Sequence, residues 1–140
     1  MGVKRLHIKF SENLDELRSL IDKMKKKTDE IGTILIYVGV VRGRRGDERV
    51  LRLEFEADKK EMTRWMNEIV KDVKEKYRVI DIIVQHRSGS ASVGENIMYV
   101  LVASKRRVEA FKALSEMIDR IKSESPMRRR EMTECGLYRA

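Results

Sequence analysis

Positive charge is grouped in this sequence, and four of the groups stand where an anion could be held. Arg42 follows a run of β-branched residues. His86-Arg87 stands just ahead of Gly89. Lys105-Arg106-Arg107 opens a helical pattern, and Lys122 with Arg128-Arg129-Arg130 brackets Pro126, the only proline. The third group is the most informative. A helix N-terminus favours Asp or Glu, so cations there oppose the dipole. The free backbone N–H groups of such a start and the guanidinium forks beside it point together at an anion. Other chemistries lack their residues. His7 and His86 are the only histidines, and neither stands at ligand spacing from the single cysteine, Cys135, so no metal site is expected. No glycine-rich phosphate loop, dinucleotide fingerprint or nucleophile elbow occurs.

The chain that must position these groups has 140 residues, 41% of them hydrophobic, which is enough for one domain spanning residues 1–140 with a real core. Its net charge of +8 points to acidic partners: a phosphorylated small molecule, an acidic protein or a nucleic acid. Charged residues make up 39% of the chain and Gln85 is the only glutamine, a bias that thermophilic proteins tend to show. No apolar run is long enough to cross a bilayer. The basic start lacks the apolar segment of a secretory leader, and one cysteine cannot make an internal disulfide. Both point to the cytoplasm.

Periodicity then divides the chain. Residues 3–10 alternate as a strand with Leu6, Ile8 and Phe10 inward. Ser11 is placed to cap a helix bearing Leu14, Leu17, Ile21 and Met24, closed by Lys25-Lys26-Lys27. Residues 33–41 form a continuous apolar run, as in a strand covered on both faces. Residues 50–56 alternate, with Leu51, Leu53 and Phe55 on one face, and the two segments read as a hairpin with a long basic tip. Asp58 and Glu61 have capping-box spacing ahead of a second helix, whose stripe is Met62, Trp65, Met66, Ile69 and Val73. Strands are predicted at 79–84 and 97–102, with a Gly/Ser-rich loop at 86–95. A third helix carries Val108, Phe111, Leu114, Ile118 and Ile121 and ends before Pro126. A last strand covers 130–133. The order is strand, helix, hairpin, helix, two strands, helix, strand: an α+β fold with a mixed sheet and three helices.

Set side by side, the motifs resemble one family. Gly39-Val40-Val41-Arg42, Leu53-Glu54-Phe55-Glu56, His86-Arg87-Ser88-Gly89 with Val93-Gly94-Glu95, Ser104-Lys105-Arg106-Arg107 with Ala110-Phe111, and Asp119-Arg120-Ile121-Lys122 with Pro126 and Arg130-Glu131 are similar, in order and spacing, to the large catalytic subunit of molybdopterin synthase. The resemblance covers about residues 31–138. It implies an α/β hammerhead-like fold and a cytoplasmic sulfurtransferase of molybdenum cofactor biosynthesis. Such enzymes take sulfur from the C-terminal thiocarboxylate of a small ubiquitin-like subunit and install it on cyclic pyranopterin monophosphate. The large subunit is a homodimer with a small subunit at each end, a heterotetramer, and needs no metal or organic cofactor. By position, Lys122 matches a catalytic lysine, Arg42 and Arg107 match anion-binding arginines, and Arg130-Glu131 match the end of a Lys-Arg-Glu run. Arg106 and Arg129 fall among the substrate-binding positions.

The chain departs from the family at two of these places. Arg106-Arg107 stands where the family usually has His-Arg, and Arg128-Arg129 where it has an aromatic residue and then lysine. Arginine keeps the charge at position 129 but does not readily act as a base. Two other readings follow from the residues. One is a non-catalytic relative that binds the small subunit or a phosphorylated ligand. The other is a nucleic-acid-binding domain, motivated by net charge alone. Base stacking needs exposed aromatic rings among the basic residues, and the aromatic residues here stand mostly at core-like positions, so a nucleic-acid partner is not expected.

Overall fold

Two central strands set the architecture by simple alternation. The computed structural model describes residues 8–140. The elements are β1 (Ile8–Ser11), α1 (Leu17–Lys25), β2 (Thr33–Val40), β3 (Arg44–Arg45), β4 (Glu48–Glu56), α2 (Lys59–Tyr77), β5 (Asp81–Arg87), β6 (Gly89–Ser92), β7 (Asn96–Ser104), α3 (Arg107–Glu124), β8 (Arg128–Thr133) and β9 (Leu137–Arg139). One sheet has the order β1-β5-β7-β2, with β1 parallel to β5 and the other pairs antiparallel. In β5 and β7 almost every residue is buried, because both faces are covered. Ile82, Val84, Met98, Val100 and Val102 face α2 and α3, where Met62, Met66, Ile69, Val73, Ala113, Met117 and Ile121 complete the main core. Ile83, Tyr99, Leu101 and Ala103 face the other way, onto Leu20 and Met24 of α1. The second sheet, β3-β4-β8-β9 with β6 on the other side of β4, is antiparallel throughout. Three helices on mixed and antiparallel sheets make the α+β fold. Among the described residues no helix is long and apolar enough to cross a membrane.

Several local expectations hold. The Glu61 N–H donates to Asp58 Oδ2 at 3.0 Å, capping α2, and the α2 stripe lies in the core. α2 ends where Arg78 takes a left-handed conformation with φ +55°. Lys23 and Lys25 occupy the last turn of α1.

Others are corrected. The predicted strand at 3–10 begins, within the described residues, at Ile8; residues 3–7 lie outside them. Ser11 ends β1 rather than capping a helix, because its carbonyl accepts from Ser88 N–H at 2.9 Å. The following segment is tied to β5 by Asp15 N–H on Gln85 Oε1 and Gln85 Nε2 on Asp15 Oδ2, so α1 starts only at Leu17. The two runs at 33–41 and 50–56 do not form a hairpin. β2 pairs with β7, whereas β4 pairs with β3, turning at Gly46 with φ +57° inside the basic loop. β2 is an edge strand and only partly covered, leaving Ile36 and Val40 exposed. A register shift between Val50 and Arg52 turns Val50 inward and Leu51 outward, reversing the expected phase at the start of β4. The 86–95 loop contains β6, bounded by Gly89 (φ +83°) and Gly94 (φ +88°). On α3 the buried residues are Ala110, Ala113, Met117 and Ile121, while Val108 and Phe111 are exposed. Small alanines let the helix lie close to the sheet, so its large apolar residues are not all needed inside.

Candidate functional site

The site is built where the last turn of α3 meets β8. Lys122 lies in that turn, α3 stops at Ser125, and Pro126 prevents its continuation. β8 then runs antiparallel to β4, with Arg129 opposite Phe55. Strand alternation separates the three arginines. Arg128 and Arg130 turn outward to carboxylates: Arg128 reaches Glu56 at 3.6 Å, and Arg130 reaches Glu56 at 3.4 Å and Glu54 at 3.9 Å. Arg129 turns inward and is half-buried, and among the described residues no carboxylate pairs with it. Burial pushes its pKa below the ordinary arginine value, with Tyr37 nearby opposing the shift. A guanidinium keeps its proton in proteins, so the shift expresses the cost of desolvating a charge that no described carboxylate neutralises. A bound anion would offset that cost.

Lys122 completes the pair. Its Nζ stands 6.0 Å from the centroid of the Tyr37 ring, at the edge of cation–π range. It too makes no ion pair among the described residues. Beneath them His86 is fully buried. Its Nδ1 lies 2.8 Å from the Arg87 carbonyl, which fits an Nδ1–H donor, and its ring meets Phe55 edge-on at 4.9 Å. Burial holds the imidazole pKa down to about 4, and Arg129 adds to that shift. His86 is therefore a neutral floor to the site and not one of its cations.

The remaining predicted residues divide by place. Arg42 is exposed just beyond β2, at the end of the sheet where Val40 pairs with Asn96 and near which α3 finishes. Arg106 and Arg107 are exposed at the start of α3, at the opposite end of the sheet; about 22 Å of helix separates Arg107 from Lys122. The structure therefore gathers Lys122 and Arg129 but not Arg106 or Arg107 within one chain. Glu131, only 5% exposed, pairs with Arg45 at 2.9 Å. Arg45 also stacks over Tyr138, 4.2 Å from its centroid. The Tyr138 hydroxyl donates to Glu48 Oε1 at 2.9 Å, and the Thr133 hydroxyl to the same oxygen at 2.6 Å. These hydrogen bonds hold the Glu48 carboxyl below its usual range. The lattice fastens β3, β4, β8 and β9 together and so fixes the strand that carries Arg129.

Tyr37 was not singled out in the sequence. The available signal was its phenol, the one polar head in the run Ile34-Leu35-Ile36-Tyr37-Val38. A surface groove of about 730 Å³ runs along the outer side of α2 between Lys59, Lys60, Arg64 and Lys71. Aliphatic stems form its walls and no polar heads converge in it, so the chemistry is better placed at Lys122 and Arg129. Among the described residues no cluster of His, Cys, Asp and Glu could hold a metal ion.

Comparison with known proteins places this geometry. The molybdopterin synthase of Staphylococcus aureus superposes with a TM-score of 0.82 at 21% identity, covering 95% of each chain. A protein–protein complex of subunits 1 and 2 of the molybdopterin-converting factor from Helicobacter pylori contains a chain that superposes at 0.74, with 16% identity and 94% of this chain covered. At those identities the likeness speaks for the fold. The molybdopterin synthase catalytic subunit of Pyrococcus abyssi is 31% identical over 126 residues, covering 90% of this chain and 82% of that protein. Its Bacillus subtilis counterpart is 30% identical over 118 residues, 84% of this chain and 74% of that protein. The family model described as MoaE protein matches residues 11–124, a span that contains Arg42, Arg106, Arg107 and Lys122 and stops short of β8. Fold, sequence and family model agree, and the chain belongs to the MoaE protein family.

Proposed function

We propose that residues 1–140 act as the large, catalytic subunit of a cytoplasmic molybdopterin synthase. Sulfur passes from the C-terminal thiocarboxylate of a small ubiquitin-like subunit to cyclic pyranopterin monophosphate, the sulfur transfer by which the family serves molybdenum cofactor biosynthesis. One observation carries this reading: Lys122 and half-buried Arg129 converge beside Tyr37, and among the described residues no carboxylate pairs with either. Both the thiocarboxylate tail and the substrate phosphate are anions, and such a pair of cations suits them. Lys122 acts as the amine at the reacting centre. Arg129 and Arg42 hold anionic groups. Arg130 and Glu131 belong to the same run, and their ion pairs hold β8 in place.

Arg106 and Arg107 require a second copy. β2 offers a free edge with Ile36 and Val40 exposed. Antiparallel pairing of two such edges about a two-fold axis sets the Thr33 end of one chain beside the Val40 end of the other. Arg106 and Arg107 of one copy then approach Lys122 and Arg129 of its neighbour, and a homodimer carries two complete pockets.

Reconstitution with a thiocarboxylated small subunit and the pterin precursor tests the reading, with molybdopterin as the expected product. Complex formation with no product above background would overturn it. That result would favour a non-catalytic relative that binds the small subunit or a phosphorylated ligand, for which Arg129 in place of lysine is the motive. Gain of activity in Arg129→Lys would then identify the missing amine.

A further inference from the structure

The four tyrosines differ in one respect. The Tyr77 hydroxyl donates to Glu116 Oε1 at 2.7 Å, the Tyr138 hydroxyl donates to Glu48 at 2.9 Å, and the Tyr99 hydroxyl accepts from Asn96 Nδ2 at 3.2 Å. Tyr37 alone has no hydrogen-bond partner for its hydroxyl among the described residues. Its ring packs against the main core, as Leu35 beside it does. An aliphatic residue would serve that packing equally, so the phenol is surplus to the core. A half-buried phenol commonly finds a partner. The groups around this one are the Lys122 ammonium, 6.0 Å from the ring centroid, and the Arg129 guanidinium, within electrostatic reach. Three donor groups without an acceptor among the described residues thus meet at one place, and Tyr37 is only partly covered, so a solute can reach it.

We infer that Tyr37 is a third working residue of this site: its ring is the platform that orients the Lys122 amine, and its hydroxyl donates a hydrogen bond to the anion that Lys122 and Arg129 hold. The anion is a phosphate or carboxylate-like group, whose several lone pairs accept from all three donors at once. The inference rests on the anion-binding reading of the site and adds a donor to it. It also explains an aromatic phenol within the aliphatic run Ile34-Leu35-Ile36-Tyr37-Val38 of β2. Ring and hydroxyl have separable consequences, because Tyr37→Phe removes one and Tyr37→Leu removes both.

The test uses the full chain with its lysine methylenes observed by NMR and inorganic phosphate as the probe. In the wild type the Lys122 ε-methylene protons are expected upfield of the other lysines, from the ring current of Tyr37, and to move on phosphate titration. Tyr37→Phe keeps the upfield position and binds phosphate about fivefold more weakly, the scale of one lost hydrogen bond. Tyr37→Leu returns the Lys122 signal to the ordinary lysine position. In the sulfur-transfer assay Tyr37→Phe raises KM more than it lowers kcat, and Tyr37→Leu lowers kcat as well, a split that loss of packing alone would not produce. Phosphate affinity of Tyr37→Phe equal to wild type overturns the hydroxyl's part. An unshifted Lys122 signal in the wild type overturns the platform, and this holds even if Tyr37→Leu fails to fold. The NMR readouts need no sulfur transfer, so an inactive wild type would refute the enzymatic reading while leaving Tyr37 to be decided by binding.

Discussion

The two ends of α3 carry the same kind of side chain in different surroundings. At the N-terminal end Arg106 and Arg107 are exposed, and their charges are solvated. At the C-terminal end Lys122 stands over an aromatic ring, and Arg129 is drawn half into the protein with no carboxylate partner among the described residues. An anion arriving at the first end exchanges water for guanidinium at little gain. At the second it meets the Arg129 guanidinium, already stripped of part of its water, where attraction is stronger because the local dielectric is lower. Clusters of basic residues that look alike in a sequence therefore differ by what burial does to them. The reactive end is the one at which a guanidinium, that of Arg129, is already part desolvated.

This contrast is open to attack in order of expected effect. Lys122→Ala should lower the rate of sulfur transfer by about a hundredfold or more, the range for removing a proton-transfer group. Its far-UV spectrum and melting temperature should hardly change, since the side chain is exposed. Next is the floor of the site. His86 is neutral in the folded protein, with a pKa near 4, against 6.5 for the free side chain. Its unfolded form therefore binds a proton first as pH falls. The stabilisation is complete above pH 6.5 and is lost on the way down to about pH 4, amounting to about 3 kcal/mol. Urea unfolding at pH 7 and pH 4.5 would show it, and His86→Gln should flatten that slope. Third, Arg129→Ala should weaken phosphate binding by about tenfold, the loss of one charge-assisted contact, whereas Arg107→Ala in a monomeric form of the chain should leave it nearly unchanged. Equal losses from the two would erase the distinction between the ends. The smallest effect belongs to Arg130→Ala. Its ion pairs to Glu54 and Glu56 are exposed, and stability should change by less than about 1 kcal/mol.

Much of the frame was legible because local pattern and final burial agree. The stripe of α2 and its Asp58 cap, and the apolar runs of β5 and β7, lie where period and spacing put them. The errors fall where a distant partner decides. Leu51 is outward because of one extra residue in the pairing of β4 with β8, about eighty positions away in the chain. Ser11 is a strand residue because Ser88 donates to it. Val108 and Phe111 are exposed because Ala110 and Ala113 allow close approach on the other face of α3. The site shows the same division. Lys122 and the arginines stand out by type and by resemblance. Arg130 and Glu131 resemble site residues in sequence, yet their partners Glu54, Glu56 and Arg45 become known only when β3, β4 and β8 are assembled. Tyr37 is visible only once α3 and β8 are laid beside β2.

The comparison between the ends of α3 carries a claim about assembly: the solvated end of one copy serves the desolvated end of another. Mixing inactive Lys122→Ala and Arg107→Ala chains and measuring sulfur transfer tests it most directly. Each mixed dimer contains one pocket with both residues intact and one with neither. Random exchange should therefore restore about a quarter of wild-type activity. Activity no greater than that of either variant alone, in a sample shown to contain mixed dimers, would contradict the account.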